Sequence, residues 1–149
     1  MAVGLLALSV PAAAEWGELG PQFQVNTYTT SNQYRAAVSG APDGGFAVVW
    51  DSNGDPSGQS GRSIVLRRFD SAGSAIGDQV QVSTGTTSAR GEVSIAHAPD
   101  RSFLVAWRDS APGEPEIYPS QGIRARRFSS EGLPAASEIQ VNVYTTENQ

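Results

Sequence analysis

The sequence predicts an all-β protein built from repeated, four-stranded antiparallel units. Composition is the first indication, because 16 glycines and 9 prolines in 149 residues are too many turn formers for a helical bundle. A second indication is that no window of the sequence shows the apolar period of an amphipathic helix. The third is an internal repeat, which sets the length of each unit.

Three blocks of sequence recur in the same order along the chain. The segment FQVNTYTT at 23–30 returns 57 residues later as VQVSTGTT, and again after another 59 residues as IQVNVYTT. Between these copies, a Pro-Asp pair followed by alternating Phe, Val and Trp occurs twice, and so does Arg-Arg-Phe. The matched spacing defines repeat 1 at 23–79, repeat 2 at 80–138 and the start of a truncated third repeat at 139–149.

Each repeat is predicted to contain four strands. In repeat 1 they are the segments rich in alternating β-branched, aromatic or small residues, namely Tyr34–Ser39, Phe46–Trp50, Ile64–Phe69 and Gln79–Ser83. The predicted connections are a turn at 41–45, a polar loop at 51–61 and a turn at 71–73. Connections this short require neighbouring strands to be antiparallel.

Units of this kind are typical of β-propeller blades, because a single four-stranded sheet cannot bury both of its faces alone. The strand at 46–50 is apolar on both faces, as a sheet between two neighbours requires. We therefore expect a partial β-propeller of two blades plus one strand, with about eight strands in all and no helix after the leader. A two-sheet β-sandwich is the alternative architecture.

The first 14 residues are predicted to be a secretory signal. An apolar run at 3–10 is followed by three alanines, of which Ala12 and Ala14 hold the small-residue positions of a cleavage site. The run is too short to span a membrane, and no Arg or Lys precedes it, as expected if the leader is clipped. Residues 15–22 would form an N-terminal segment. We expect a secreted or cell-surface protein, with the periplasm as the alternative.

The repeat resembles one found in other proteins. The phrases FQVNTYTTSNQ, APDGGFAVVWDSNGDPSG and IVLRRFDSAGSAIGDQVQV, with their second copies, are similar to the tandem repeats of large secreted bacterial proteins, including surface and RTX-like calcium-associated proteins. The resemblance covers nearly all of 22–149 and implies β-propeller blades in an exported bacterial protein. It implies little about activity.

Charge and composition argue against several classes of function. A formal net charge of -5 disfavours a broad nucleic-acid interface, and the absence of cysteine excludes disulfides, thiolate zinc sites and a cysteine nucleophile. The single histidine, His97, cannot form a multi-histidine zinc site, and no G-x-S-x-G segment accompanies it. His97 replaces Gly40 of repeat 1, so we expect a histidine near a turn, on an edge or surface, and no enzyme.

Acidic residues offer the candidate sites. Asp43 and Asp100 hold equivalent places after proline, and we expect each carboxylate to accept backbone N–H groups of its own turn. A facing pair of glycosidase carboxylates is the alternative. For a metal, Asp51, Asn53 and Asp55 place oxygen atoms at alternate positions of a predicted loop, which suits calcium. The loop lacks the glycine and glutamate of an EF-hand, so a solvated turn without a cofactor is the main expectation.

The repeated basic and aromatic residues are predicted to be structural. Because successive strand residues point to opposite faces, Arg68 shares a face with Leu66, and Arg67 with Phe69. We expect the arginines to stack on an aromatic such as Trp50 or Trp107, or to pair with an acid between blades, with ligand binding as the alternative. The repeat signature comprises Trp50, Trp107, Arg68, Arg127, Phe69, Phe128, Asp43 and Asp100.

These observations predict a non-catalytic, exported β-repeat module for surface display, adhesion or ligand presentation. A glycan-binding, lectin-like propeller is the alternative, and a hydrolase on a propeller frame comes third, since no acid–base pair can be named for it. The partner would be an unidentified ligand, either a glycan or a protein. Two repeats leave blade faces open, so we also expect the remaining blades of a longer chain or self-association, with exchange of the similar segments 23–26 and 139–142.

Overall fold

The computed structural model describes residues 20–54, 61–84, 90–110 and 121–142, and all regular structure within these ranges is β-strand. In chain order the strands are β1 (Gln33–Gly40), β2 (Phe46–Asn53), β3 (Arg62–Phe69), β4 (Ala75–Gln81), β5 (Arg90–His97), β6 (Phe103–Ser110), β7 (Gln121–Phe128) and β8 (Ile139–Gln140). The prediction of an all-β fold with about eight strands is confirmed.

The strands form two sheets of the same topology. Sheet 1 has the order β1-β2-β3-β4 and sheet 2 the order β5-β6-β7-β8, with every neighbouring pair antiparallel. Even an irregularity recurs: β1 and β5 each contain a register shift, with Arg35 at φ 51° and Glu92 at φ 53°. The sequence repeat is therefore also a structural repeat.

Two predicted boundaries are wrong. Asp51 does not open a loop, because β2 continues through Asp51 and Ser52, both buried, to Asn53. The fourth strand begins at Ala75 rather than Gln79. The turn after β1 is confirmed: the N–H of Gly44 donates to the carbonyl of Ala41 at 3.0 Å, and Gly44 has the positive φ of 86° that this turn requires.

Each sheet has two distinct faces, which we name by the register of its strands. The A face of sheet 1 carries Ala47, Val49 and Leu66, and their equivalents on the A face of sheet 2 are Leu104, Ala106 and Ala125. The B face of sheet 1 carries Phe46, Val48, Trp50 and Phe69, and their equivalents on the B face of sheet 2 are Phe103, Val105, Trp107 and Phe128.

The core lies between the A face of sheet 1 and the B face of sheet 2. One buried cluster joins the two, and its members are Ala47, Val49, Ile64, Leu66, Val82, Phe103, Val105, Trp107 and Phe128. Strand β5 contacts β1, β2 and β3 across this junction. The two sheets thus bury opposite faces against each other.

Three of the sequence predictions lie outside the described residues: the leader, most of the loop after Asn53, and the chain after Asn142. In the part of the chain that the structure does describe, there is no helix with the length and apolar character of a membrane span.

Candidate functional site

The two aspartates of the repeated Pro-Asp pair hold their own turns, as predicted. The N–H of Gly45 donates to Asp43 Oδ1 at 3.1 Å, and the N–H and hydroxyl of Ser102 donate to Asp100 Oδ1 at 3.0 and 2.6 Å. The hydrogen bond from Arg101, and then that from Gly45, lower the pKa of Asp43, while the Ser102 hydroxyl lowers the pKa of Asp100. Both carboxylates are therefore held in the ionised form and stabilise turns.

A small cleft lies where these turns meet across the two sheets. Its polar residues include Asp43 and Arg68 from sheet 1, and His97 and Arg101 from sheet 2. Arg101 pairs with Asp43 at 3.1 Å, and the Ser39 hydroxyl lies 3.0 Å from His97 Nδ1. The cleft encloses about 190 Å³, which is below the usual volume of a small-molecule site. Its polar groups chiefly join one sheet to the other.

His97 lies at the end of the edge strand β5, as expected, but it faces sheet 1 and is half-buried. Its ring contacts Phe103 at 5.1 Å, and burial lowers the pKa of His97, against the opposing effect of the Asp43 charge. The sequence analysis missed the partner Ser39 and the contribution of Arg101. Neither shows in the repeat, because Arg101 replaces Gly44 and both contacts join residues 58 positions apart.

The first arginine of each Arg-Arg pair makes the same contact in both repeats. Arg67 Nη1 donates to the carbonyl of Val25, and Arg126 Nη1 donates to the carbonyl of Val82, each at 2.8 Å. Each guanidinium also lies over the phenylalanine two residues further on, at 5.6 Å for Arg67 and 5.8 Å for Arg126. Stacking on an aromatic residue is as predicted, but the aromatic residue is a phenylalanine and not the tryptophan named as an example. The arginine stacks on a phenylalanine of its own strand and binds the repeated Q-V-N segment.

The second arginine of each pair lies on the A face, as predicted from strand alternation. Arg68 Nη1 donates to the carbonyl of Ser130 in sheet 2 at 2.9 Å, and burial lowers the pKa of Arg68. Its equivalent Arg127 is exposed and lies 4.0 Å from Asp100 and 3.3 Å from the Ser102 hydroxyl. In one repeat this arginine binds the neighbouring sheet, and in the other it reaches only the β5–β6 turn of its own sheet.

Asp51 is fully buried, but it is placed in a strand and already faces two cations. Its Oδ2 lies 2.8 Å from Arg62 Nη2 and 3.5 Å from Arg35 Nη1. Burial raises the pKa of Asp51, and the two arginines act in the opposite direction. Two guanidinium groups beside the carboxylate disfavour a calcium ion there. Asp55 lies outside the described residues, so calcium binding by Asp51, Asn53 and Asp55 stays a prediction.

The aromatic residues of the signature form cores, as expected. Trp50, Trp107, Phe69 and Phe128 are all buried, and Phe103 stacks on Phe128 with ring centroids 5.1 Å apart. A second cleft of about 310 Å³ remains on the B face of sheet 1, lined by Val25, Asn26, Gln33, Tyr34, Val48 and Trp50 among others. The indole N–H of Trp50 donates to Gln33 Oε1 at 2.7 Å.

No protein-family model matches the chain, and comparison with curated proteins finds no match either.

Proposed function

We propose that the chain is a non-catalytic β-repeat module of an exported protein, which serves in surface display, adhesion or ligand presentation. The observation that carries this proposal is the repeated arginine contact, in which Arg67 and Arg126 bind Val25 and Val82 with the same donor atom at the same distance. Arg126 thereby joins sheet 2 to the segment that follows β4 of sheet 1, and Arg67 holds the equivalent Val25 segment on sheet 1. A module that works by stacking its units is the function that such contacts support best.

The acidic candidates support the same proposal. Asp43 and Asp100 bind their own turns, and Asp51 binds arginines of its own sheet. The apolar leader at 3–10 and the resemblance of the repeats to those of secreted bacterial proteins point to export. A partial β-propeller is the architecture that we propose for the stacked sheets, because head-to-tail stacking of four-stranded meanders is how blades follow one another.

Export is tested by expressing the chain in a bacterial host, with an Arg added after Met1 to supply the basic residue that the predicted leader lacks, and fractionating the cells. We expect the protein in the periplasm, on the surface or in the medium, because the apolar run engages the secretion machinery. The matched control is Leu6→Arg, which interrupts the run with a charge and should leave the protein in the cytoplasm. A chain with the intact apolar run that stays in the cytoplasm alongside the L6R variant would contradict the proposal.

Glycan binding is the second candidate, and the cleft on the B face of sheet 1 favours it. Its volume of about 310 Å³ lies within the range of small-ligand sites, and it is lined by Tyr34 and Asn26. A glycan array separates the two functions. Saturable binding that free sugar competes away, and that Asn26→Ala abolishes while Leu133→Ala does not, would establish a lectin. If no glycan on the array binds, the non-catalytic module remains the proposed function.

A further inference from the structure

The contact at the junction between the two sheets could be made again by the outer face of each sheet. It joins an A face to a B face, so an A face remains on sheet 2 and a B face on sheet 1. A contact between two unlike faces can repeat indefinitely or close into a ring, whereas a contact between like faces ends with a pair.

Exposure of equivalent residues shows that parts of these two end faces remain uncovered within the described residues. On the A side, Ala47 is 1% exposed but its equivalent Leu104 is 45% exposed, and Val82 is 0% exposed but its equivalent Val141 is 55% exposed. On the B side, Val38 is 66% exposed, whereas its equivalent Ile95 packs against the core cluster. Large apolar side chains thus stand open at the positions that the internal junction buries.

The end of sheet 2 also repeats one half of the inter-sheet cleft. Sheet 1 contributes Asp43, Gly45, Arg68, Phe69, Asp70 and Ser71 to the cleft of about 190 Å³. The equivalent residues Asp100, Ser102, Arg127, Phe128, Ser129 and Ser130 line an open shelf of about 460 Å³ on sheet 2. What closes the cleft at the junction is the next repeat, through residues such as Phe103 and Ser130.

A short segment covers part of the B face of sheet 1, where the last strand of a preceding sheet would lie. The Phe23–Asn26 segment lies on the B face of sheet 1, with the Phe23 ring 5.3 Å from that of Phe69 and the Val25 carbonyl bound by Arg67. Val82, next to the fourth strand of sheet 1, has the same relation to Arg126 of sheet 2. Among the residues that the structure describes, the other three strands of such a preceding sheet have no counterpart, and the cleft beside Val48 and Trp50 remains open.

We propose that a second copy of this chain docks head to tail, with the B face of its sheet 1 on the A face of sheet 2. Leu104 and Val141 then pack beside Val48 and Val38 of the second copy, as Ala47 and Val82 pack beside Val105 at the internal junction. Arg127 donates to the carbonyl of Ser71 of the second copy, as Arg68 donates to that of Ser130. This inference rests on the proposed function and names its partner.

The docked pair has one place for a fourth strand beside β7 and two similar segments to fill it. Ile139–Asn142 holds that place now, through a two-residue strand and a hydrogen bond from the Val141 N–H to the Ile123 carbonyl at 2.8 Å. Phe23–Asn26 of the second copy would occupy the same place, so in the docked pair it leaves the B face of its own sheet 1 and Ile139–Asn142 takes its position. Rings of four to eight sheets would correspond to about two to four copies.

The test is light scattering with size exclusion on the full chain over a dilution series. We expect the native protein to associate, and Leu104→Arg and Val38→Arg each to elute as a monomer, because each buries a charge at the contact. Both residues are exposed in the single chain, so circular dichroism should show the native strand signal in both variants. Leu133→Arg, at an exposed leucine in the turn before β8, is the control and should associate like the native protein.

Mixing supplies the decisive result. L104R retains an intact B face and V38R an intact A face, so their equimolar mixture should form a one-to-one pair that grows no further. A native chain that stays monomeric, a single variant that still associates, a mixture that stays monomeric, or an L133R variant that fails to associate would each overturn the proposal. None of these outcomes changes where cell fractionation finds the protein. Failure of the docking proposal can therefore be distinguished from failure of the proposed exported module.

Discussion

Arg68 and Arg127 carry the same chemistry at equivalent places, yet only one has a neighbouring sheet to bind. Arg68 gives a hydrogen bond to the Ser130 carbonyl, whereas Arg127 reaches only the β5–β6 turn of its own sheet. A guanidinium that loses water on burial needs such a partner to offset the loss. At the scale of single residues, the repeat therefore supplies identical contact groups, and their surroundings decide which of them are used.

His97 provides a test of the junction by pH. Burial lowers the pKa of His97 below its ordinary value of 6.5, so the folded protein favours the neutral ring. Its contribution to stability is full above about pH 6.5 and is lost as the pH falls through the lowered folded pKa. We expect an NMR titration to place the His97 pKa below 6.5.

The control for this titration is His97→Gln, which removes the only histidine in the chain. The free energy of unfolding of the native protein should fall on acidification through this window, and that of H97Q should change less. A His97 pKa at or above 6.5 would contradict this prediction, because it would mean that burial does not outweigh the Asp43 charge.

Two turns with the same backbone hydrogen bonds differ in whether the neighbouring sheet contacts them. The turns after β3 and β7 have the same hydrogen bonds, and Gly73 and Gly132 have φ values of 80° and 81°. A Cβ atom at Gly132 would lie 2.5 Å from Arg68 Nε, whereas at Gly73 the nearest atom is Phe23 Cε1 at 3.7 Å. The two positions share backbone strain but differ in what they contact.

We therefore expect Gly132→Ala to destabilise the fold more than Gly73→Ala. Both variants carry the cost of a positive φ, of about 1–2 kcal/mol, but only G132A displaces Arg68 from the Ser130 carbonyl. The additional loss should be about 1–3 kcal/mol. Chemical denaturation of both variants, at a dilution where the chain is monomeric, measures the difference. Equal losses would show that the Arg68 contact contributes nothing measurable.

The sequence predicted the elements better than their boundaries and partners. Alternation placed Arg67 and Arg68 on opposite faces correctly, because the period of a strand is a local property. Asp51–Asn53 was assigned to a loop because Asp, Ser and Asn are poor strand formers, and the structure overrides that preference through the arginines that bind buried Asp51. The carbonyl partners of Arg67 and Arg126 could not be predicted, since they depend on how one sheet stacks on another.

Among the described residues, one buried cluster is shared by both sheets, although the sequence contains two units. Leu66 of sheet 1 and Trp107 of sheet 2 belong to the same buried cluster, and neither sheet buries that surface without the other. A shared core makes the opening of one sheet expose the other, so the two should unfold as a single cooperative unit.

Hydrogen exchange on the monomeric chain tests this cooperativity. One substitution in sheet 1 is made, and the protection of amides is measured in both sheets. Leu66→Ala removes buried apolar volume at the junction and should lower the free energy of unfolding by about 2–5 kcal/mol. Amides of β2 and β3 should lose this amount of protection, and amides of β6 and β7 should lose the same amount, although the substitution lies in sheet 1. Leu133→Ala, at a side chain that is exposed in the turn before β8, is the control and should change neither set. If L66A weakens the amides of sheet 1 alone, the sheets open independently and each repeat is a separate folding unit, because only a shared core transmits the loss across the junction.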